Sequence, residues 1–122
     1  MAIFIKRIYD VPEPGDGYRV LVDRLWPRGL RKEDAIVDLW LKEIAPSAEL
    51  RRWYGHEPER FEEFAIRYEA ELQSKGDALA KLQMRVDIQE VTLLTAARAP
   101  QFSAAQVLSD YFGRAKLRAK AS

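Results

Sequence analysis

The sequence predicts a small α/β fold: a short, mainly parallel central sheet of about three strands flanked by about five helices, in two or three layers. Three observations carry this. Runs of β-forming residues occur at Ile3–Tyr9, Tyr18–Leu25 and Val91–Ala96. Apolar residues at helical spacing fill most of the interval between the second and third runs. A helical crossover of that length makes those two strands parallel.

Taken in order, Ile3–Tyr9 alternates in part and reads as the first strand. Pro12, Pro14, Gly15, Asp16 and Gly17 then form a loop. Gly15-Asp16-Gly17 is a turn rather than a phosphate loop, because it lacks the longer glycine pattern and leads into a strand. Tyr18–Leu25 is a buried strand that ends before Trp26-Pro27-Arg28-Gly29. The connection between the first two strands is too short to fix their relative direction. Glu33–Ile44 reads as a helix on the stripe Ile36, Leu39, Trp40 and Ile44, stopped by Pro46.

Ser47 then caps a short helix through Trp53, with Gly55 just past its end. Pro58 suits a first helical turn, and Phe61, Phe64, Ala65, Tyr68 and Leu72 follow at helical spacing. Beyond Gly76-Asp77 comes a helix from Ala78 to about Arg85. Val91–Ala96 is the third strand, and Ser103 caps a last helix through Phe112. Residues 1–113 thus form one domain, and 114–122 a basic tail expected to fray.

The bulk properties exclude several classes. The chain has 122 residues, 48% of them hydrophobic and 32% charged, which suits one soluble folded unit. With 20 basic and 19 acidic residues the formal net charge is +1, so nucleic acid is a disfavoured partner. Cysteine is absent, which removes disulfides, thiolate metal sites and thiol nucleophiles. Asparagine, one of the usual adenine-reading side chains, is absent too. No apolar run reaches membrane-spanning length and no secretory leader opens the chain, so a cytoplasmic protein without membrane contact is expected. No metal-ligand spacing or cofactor motif occurs, and neither metal nor cofactor is expected. A monomer and a homodimer are both compatible.

Charge is nonetheless segregated. Residues 19–32 hold Arg19, Arg24, Arg28, Arg31 and Lys32 against Asp23 alone, while residues 57–71 are strongly acidic. In open α/β sheets, ligands bind beyond the carboxyl ends of the strands. That rule selects Tyr9 and Asp10, Asp23 to Gly29, and Arg98, of which Asp23 to Gly29 is the densest group. Guanidinium groups make bidentate bonds to phosphate or carboxylate, and an indole face can stack a ring. Arg24, Trp26, Arg28 and Arg98 are therefore candidate binding groups. Ser103, at a helix start, is another anion-binding position. Asp23 and His56, the sole histidine, are the candidate proton-handling groups. The plainer alternative makes Asp23–Arg24 an internal ion pair and Trp26 a packing residue against the Trp40 helix.

The blocks Tyr18-Arg19-Val20-Leu21-Val22-Asp23-Arg24-Leu25-Trp26-Pro27-Arg28-Gly29-Leu30, Asp38-Leu39-Trp40-Leu41-Lys42 with Ala45-Pro46-Ser47, Leu50 to Arg60, and Val91-Thr92-Leu93-Leu94 with Ala96-Ala97-Arg98 resemble those of the YeaO-like family of bacterial proteins, a domain-of-unknown-function 488 group. The resemblance spans about residues 3–112 and implies a small α/β fold, without an established activity. In that family the last block is expected to continue into a His-Asn-like pair. Here it continues as Ala99-Pro100-Gln101-Phe102-Ser103, with Phe102 where the histidine is expected. The resemblance therefore leaves ligand binding better supported than catalysis.

Three functions compete. One is a small-molecule protein for an anionic or nucleotide-like ligand, with or without catalysis. Another is a non-enzymatic module binding nucleic acid or protein. The third is a structural or interaction protein, which exposure of Trp26 or Trp53 in a contiguous apolar patch would favour.

Overall fold

The structure, a computed structural model, describes residues 2–121, with side chains described for residues 2–115. Four strands form one sheet: β1 (Ile3–Arg7), β2 (Tyr18–Leu21), β3 (Leu39–Trp40) and β4 (Val91–Thr95). Their spatial order is β1-β4-β2-β3, and every pairing is parallel. The first strand, whose direction the sequence left open, is thus parallel and separated from β2 by β4. Four helices accompany the sheet: α1 (Ala48–Tyr54), α2 (Phe61–Leu72), α3 (Gly76–Ile88) and α4 (Ala104–Ala121).

Side chains alternate across the strands and so divide the core in two. On one face Val20, Val22, Val91 and Leu93 meet apolar residues from all four helices, among them Leu50, Phe64, Leu82 and Leu108. On the other face Leu21, Leu94 and Ile8 are covered by Trp26, Leu30, Val37 and Trp40. The fold is therefore two-layered. The segment between β2 and β3 covers the second face in place of a helical layer.

That segment corrects the expected Glu33–Ile44 helix. Lys32–Asp34 is a single 3-10 turn, Leu39–Trp40 is an edge strand paired with Val20–Leu21, and Lys42–Ile44 is a second 3-10 turn. The apolar residues taken for a helical stripe are split instead. Leu39 and Ile44 join the helical side of the core, Trp40 faces the other way, and Ile36 is exposed. Asp38 decides the local conformation: its carboxylate accepts the Arg19 backbone N–H at 2.8 Å, while its own N–H donates to the Arg19 carbonyl at 2.8 Å. A short polar side chain bonding to backbone outside its own segment competes directly with a helical turn. Ile36-Val37, both β-branched, add little resistance.

Elsewhere the signals around α1 hold, while Gly76-Asp77, read as a break before the next helix, instead opens α3. Ser47 accepts the Leu50 N–H, and Gly55 closes α1 in the left-handed region at φ 55°. The second strand stops at Leu21 rather than Leu25. The last helix continues past Phe112 to Ala121 through a run of good helix formers, and Arg114 on it pairs with Glu69 of α2. The remaining basic side chains of the expected tail, Lys116, Arg118 and Lys120, lie outside the described residues.

At the amino-terminal end of β2, Asp16 is almost fully buried. Its carboxylate receives Lys6 Nζ, the Glu13 N–H and an Arg19 guanidinium nitrogen. Burial raises the Asp16 pKa, but those donors outweigh it and hold the carboxyl below its ordinary value. Arg19 is itself 3% exposed and donates from Nε to the Ile36 carbonyl. It belongs to this structural network, at the far end of the strand from the Trp26 loop.

Gly17 follows directly with φ 66°, and a Cβ there would collide with the carbonyl oxygen of Glu90. Gly15 has open space around it. Gly17→Ala is therefore expected to lower stability by about 3 kcal/mol or more, from backbone strain plus the clash. Gly15→Ala should stay within about 0.5 kcal/mol of the parent, as surface substitutions do. Urea denaturation of the two variants checks this; equal losses would contradict it.

Candidate anion-binding cavity

The carboxyl ends of β2 and β4 lie side by side, and the chain leaving β2 is latched to the end of β4. Asp23 makes the latch. One carboxylate oxygen accepts the Thr95 hydroxyl at 2.9 Å and the other accepts the Ala96 N–H at 2.8 Å. Two indoles then shape the following loop. Trp40 Nε1 donates to the Asp23 carbonyl at 2.8 Å, and Trp26 Nε1 donates to the Leu30 carbonyl at 2.6 Å. The rings meet edge to face at 5.4 Å, a favourable quadrupole arrangement. Trp26 thus packs on Trp40 as the plainer reading supposed, but on a strand instead of a helix. Gly29, at φ 76°, turns the loop where a side chain would be strained. The result fixes a backbone from which Arg24 and Arg28 project, both exposed.

Opposite this loop stands α1. Ser47 anchors its start, donating from its backbone N–H and its hydroxyl to the Glu71 carboxylate at 2.8 and 2.6 Å. Tyr68, deep in α2, donates its hydroxyl to the Ile44 carbonyl at 2.6 Å; burial pushes its pKa far up, so it stays protonated. At the other end of α1, Tyr54 stacks on Phe64 at 4.2 Å and donates to the Phe102 carbonyl at 2.6 Å. Burial raises the Tyr54 pKa as well.

Between these walls lies a cavity of about 510 Å³. Asp23, Arg24, Trp26, Arg28, His56 and Ser103 all line it. Of the predicted site residues only Arg98 does not; it is exposed on the loop after β4. Ser103 directly precedes α4, but its hydroxyl donates to the Pro100 carbonyl at 2.6 Å. It is the backbone N–H groups opening α4, beside Ala104 in the cavity wall, that offer donors and the positive end of the helix dipole. His56 is exposed and takes an unusual positive φ of 58°, immediately after left-handed Gly55. Such a conformation costs on the order of 1–3 kcal/mol for a residue with a Cβ.

Two lining residues escaped the sequence reading. Arg51 and Tyr54 stand one turn apart on α1 and both face the cavity. The short helix was predicted, so the spacing that puts them on one face was visible. What no local pattern shows is that α1 stands over the end of β2.

The electrostatics are one-sided. Among the described residues Arg24, Arg28 and Arg51 take part in no ion pair. The only acid lining the cavity is Asp23. Burial raises the Asp23 pKa; the Ala96 N–H, the Thr95 hydroxyl and the charges of Arg51 and His56 pull it back, without restoring the ordinary value. The Asp23–Arg24 ion pair of the plainer alternative does not form among the described residues.

Because the folded-state pKa of Asp23 is raised, its protonated form favours the native state. That contribution is fully present below the unfolded value of 3.8 and is lost as pH rises through the higher folded value. Asp23→Asn mimics the neutral form and should remove this slope. Its stability relative to the parent is expected to rise as pH increases above 3.8 and to level off once pH passes the folded value, in paired urea titrations. A difference that stays constant with pH would show that Asp23 titrates alike in both states.

The family described as "Inactive DUF488-N3 subclade" matches residues 2–121. The chain is 50% identical to the uncharacterized protein Rv3073c of Mycobacterium tuberculosis over 105 residues, covering 86% of this chain and 88% of that one. It is 44% identical over 114 residues to the uncharacterized protein YeaO of Escherichia coli, covering 91% and 96%. No solved structure matches. With one family spanning nearly the whole chain and relatives this similar, the protein belongs to the YeaO-like, domain-of-unknown-function 488 family, in the subclade described as inactive.

Proposed function

We propose that this protein binds a small anionic ligand in the cavity at the ends of β2 and β4, and does so without chemical turnover. The observation that carries the reading is that three arginines, Arg24, Arg28 and Arg51, line one cavity and, among the described residues, none of them takes part in an ion pair. Guanidinium forks match the oxygens of phosphate and carboxylate, and a partly enclosed cavity strengthens each charge-assisted bond. The opening of α4 adds backbone donors of the same polarity.

Binding is favoured over catalysis for three reasons. Both Asp23 oxygens already hold protein donors, so the carboxylate acts first as a structural latch. His56, the other candidate for proton transfer, is exposed rather than enclosed with a reacting group. Phe102 brings no titratable group to the cavity wall, and the family description itself carries the word inactive.

The nucleic-acid reading loses its main support. Arg19 is buried against Asp16 at the far end of β2, Arg31 pairs with Asp34 at 2.9 Å, and Arg114 pairs with Glu69. The cations that made residues 19–32 a basic stretch therefore do not share one free face.

A thermal-shift panel of inorganic phosphate, nucleotides, sugar phosphates and carboxylates tests the proposal. A ligand at a hundred times its Kd contributes about 2.7 kcal/mol, which moves Tm by on the order of 10 °C for a chain of this size. Arg24→Ala and Arg28→Ala should each reduce that shift. Shifts of equal size in the parent and both variants would place the binding site elsewhere.

A further inference from the structure

The three cavity arginines are not equivalent. Arg24 and Arg28 are exposed on the covering loop, whereas Arg51 is partly buried on α1. Its Nε is buried and, among the described residues, has no hydrogen-bond partner. A buried donor left without an acceptor is costly, and a charged one more so. The Arg51 backbone is fixed: its N–H donates to the Ser47 carbonyl and its carbonyl accepts the Gly55 N–H, both at 3.0 Å. The helix position that carries the guanidinium is thus fixed, and part of its bonding capacity is unused among the described residues.

One turn along the same helix face, Tyr54 links α1 to the Phe102 carbonyl. Phe102 lines the cavity, stays 37% exposed, and is steadied edge to face against Phe61 at 5.7 Å. A large apolar ring left this open offers a flat face to a ligand. Charge and flat surface therefore meet across one cavity. Its volume of about 510 Å³ falls inside the range of about 300–1,000 Å³ that holds small organic ligands. A bare phosphate, a few water volumes of about 30 Å³ each, would leave most of that space empty.

We propose that Arg51 is the interior anchor for the phosphate of a phosphomonoester carrying a flat ring, a nucleoside monophosphate in its commonest form, and that Phe102 provides the stacking face for the ring. This rests on the anion-binding reading above and narrows it to one ligand class. A phosphomonoester carries close to two negative charges and three terminal oxygens. That suits Arg51 with the opening of α4 inside and Arg24 and Arg28 at the mouth. A planar carboxylate would engage fewer of these donors.

Calorimetric titration with adenosine 5′-monophosphate, ribose 5-phosphate, inorganic phosphate and adenosine tests the assignment, with phosphate also run as a competitor. Affinity should fall in that order, adenosine showing no binding. Arg51→Lys keeps the charge but loses the fork, and should weaken the nucleotide and phosphate together by about tenfold or more; Arg51→Ala, if it folds, should weaken both further. Phe102→Ala should weaken the nucleotide by about tenfold and leave phosphate unchanged, since stacking is all it removes. Nucleotide affinity unchanged by both Arg51→Lys and Phe102→Ala would overturn this inference while leaving the wider reading intact, provided Arg24→Ala and Arg28→Ala still weaken binding. Carboxylates that bind where phosphates do not would also overturn the ligand class alone. Absence of binding by every anion in the panel would overturn both.

Discussion

The hydrogen bonds from Thr95 and Ala96 to the Asp23 carboxylate are the constraint on which the rest of the cavity depends. Strand pairing ends at Leu21↔Leu94, and beyond it only the Val22 N–H to Leu94 carbonyl bond at 3.2 Å continues the ladder. Without a clasp, the chain leaving β2 would be free to diverge from β4 just where the arginine loop begins. Bonds to a charged acceptor are worth about 1.5–3 kcal/mol each, enough to hold that junction. Removing the carboxylate from solvent opposes them, which is why the Asp23 pKa stays raised although four neighbours favour the charged form.

The opposite end of β2 uses the same side chain for the reverse balance. Asp16 meets two cations and a backbone N–H, and its pKa is lowered. Asp16 therefore contributes stability above its unfolded value of 3.8, lost as pH falls through the lower folded one; Asp23 has the opposite sign. One carboxylate secures the structural end of the sheet and tolerates no neutral form without loss. The other secures the cavity end, where burial outweighs its donors and the nearby charges of Arg51 and His56.

Much of this was legible in the sequence, and the parts that were not share a cause. Ser47 and Gly55 announce α1, the Phe61–Leu72 stripe announces α2, and the β-branched runs locate β2 and β4, because each signal acts within a few residues. The Arg/Trp segment stood out through composition, and strand-end logic placed it beside Asp23 and Ser103. The edge strand β3 was missed because Leu39 and Trp40 satisfy a helical stripe as readily as a strand. The choice is made by Asp38 bonding to the Arg19 backbone, nineteen positions away. Arg19 and Arg24 read alike as strand-flanking cations, yet Asp16 claims the first and nothing claims the second. Arg51 was invisible for the same reason: its place at the cavity follows from how α1 packs over β2, not from its neighbours in the chain. Long-range pairing, rather than local propensity, separates structural arginines from available ones.

The same distinction governs what the cavity can do. Proton transfer needs a group whose acid and base forms are both free to act at the reacting atom. Asp23 spends an acceptor position of each oxygen on the sheet, and Phe102 brings no titratable group at all. Binding needs only fixed donors and a surface of matching shape. Here Trp26 and Trp40 lock the loop bearing Arg24 and Arg28, and Ser47–Glu71 locks the helix bearing Arg51. The backbone bearing these donors is ordered during folding, so binding has only the arginine side chains left to order. Under the proposed function, a scaffold that commits Asp23 to architecture, while Arg24, Arg28 and Arg51 take part in no ion pair among the described residues, retains an anion rather than transforming it.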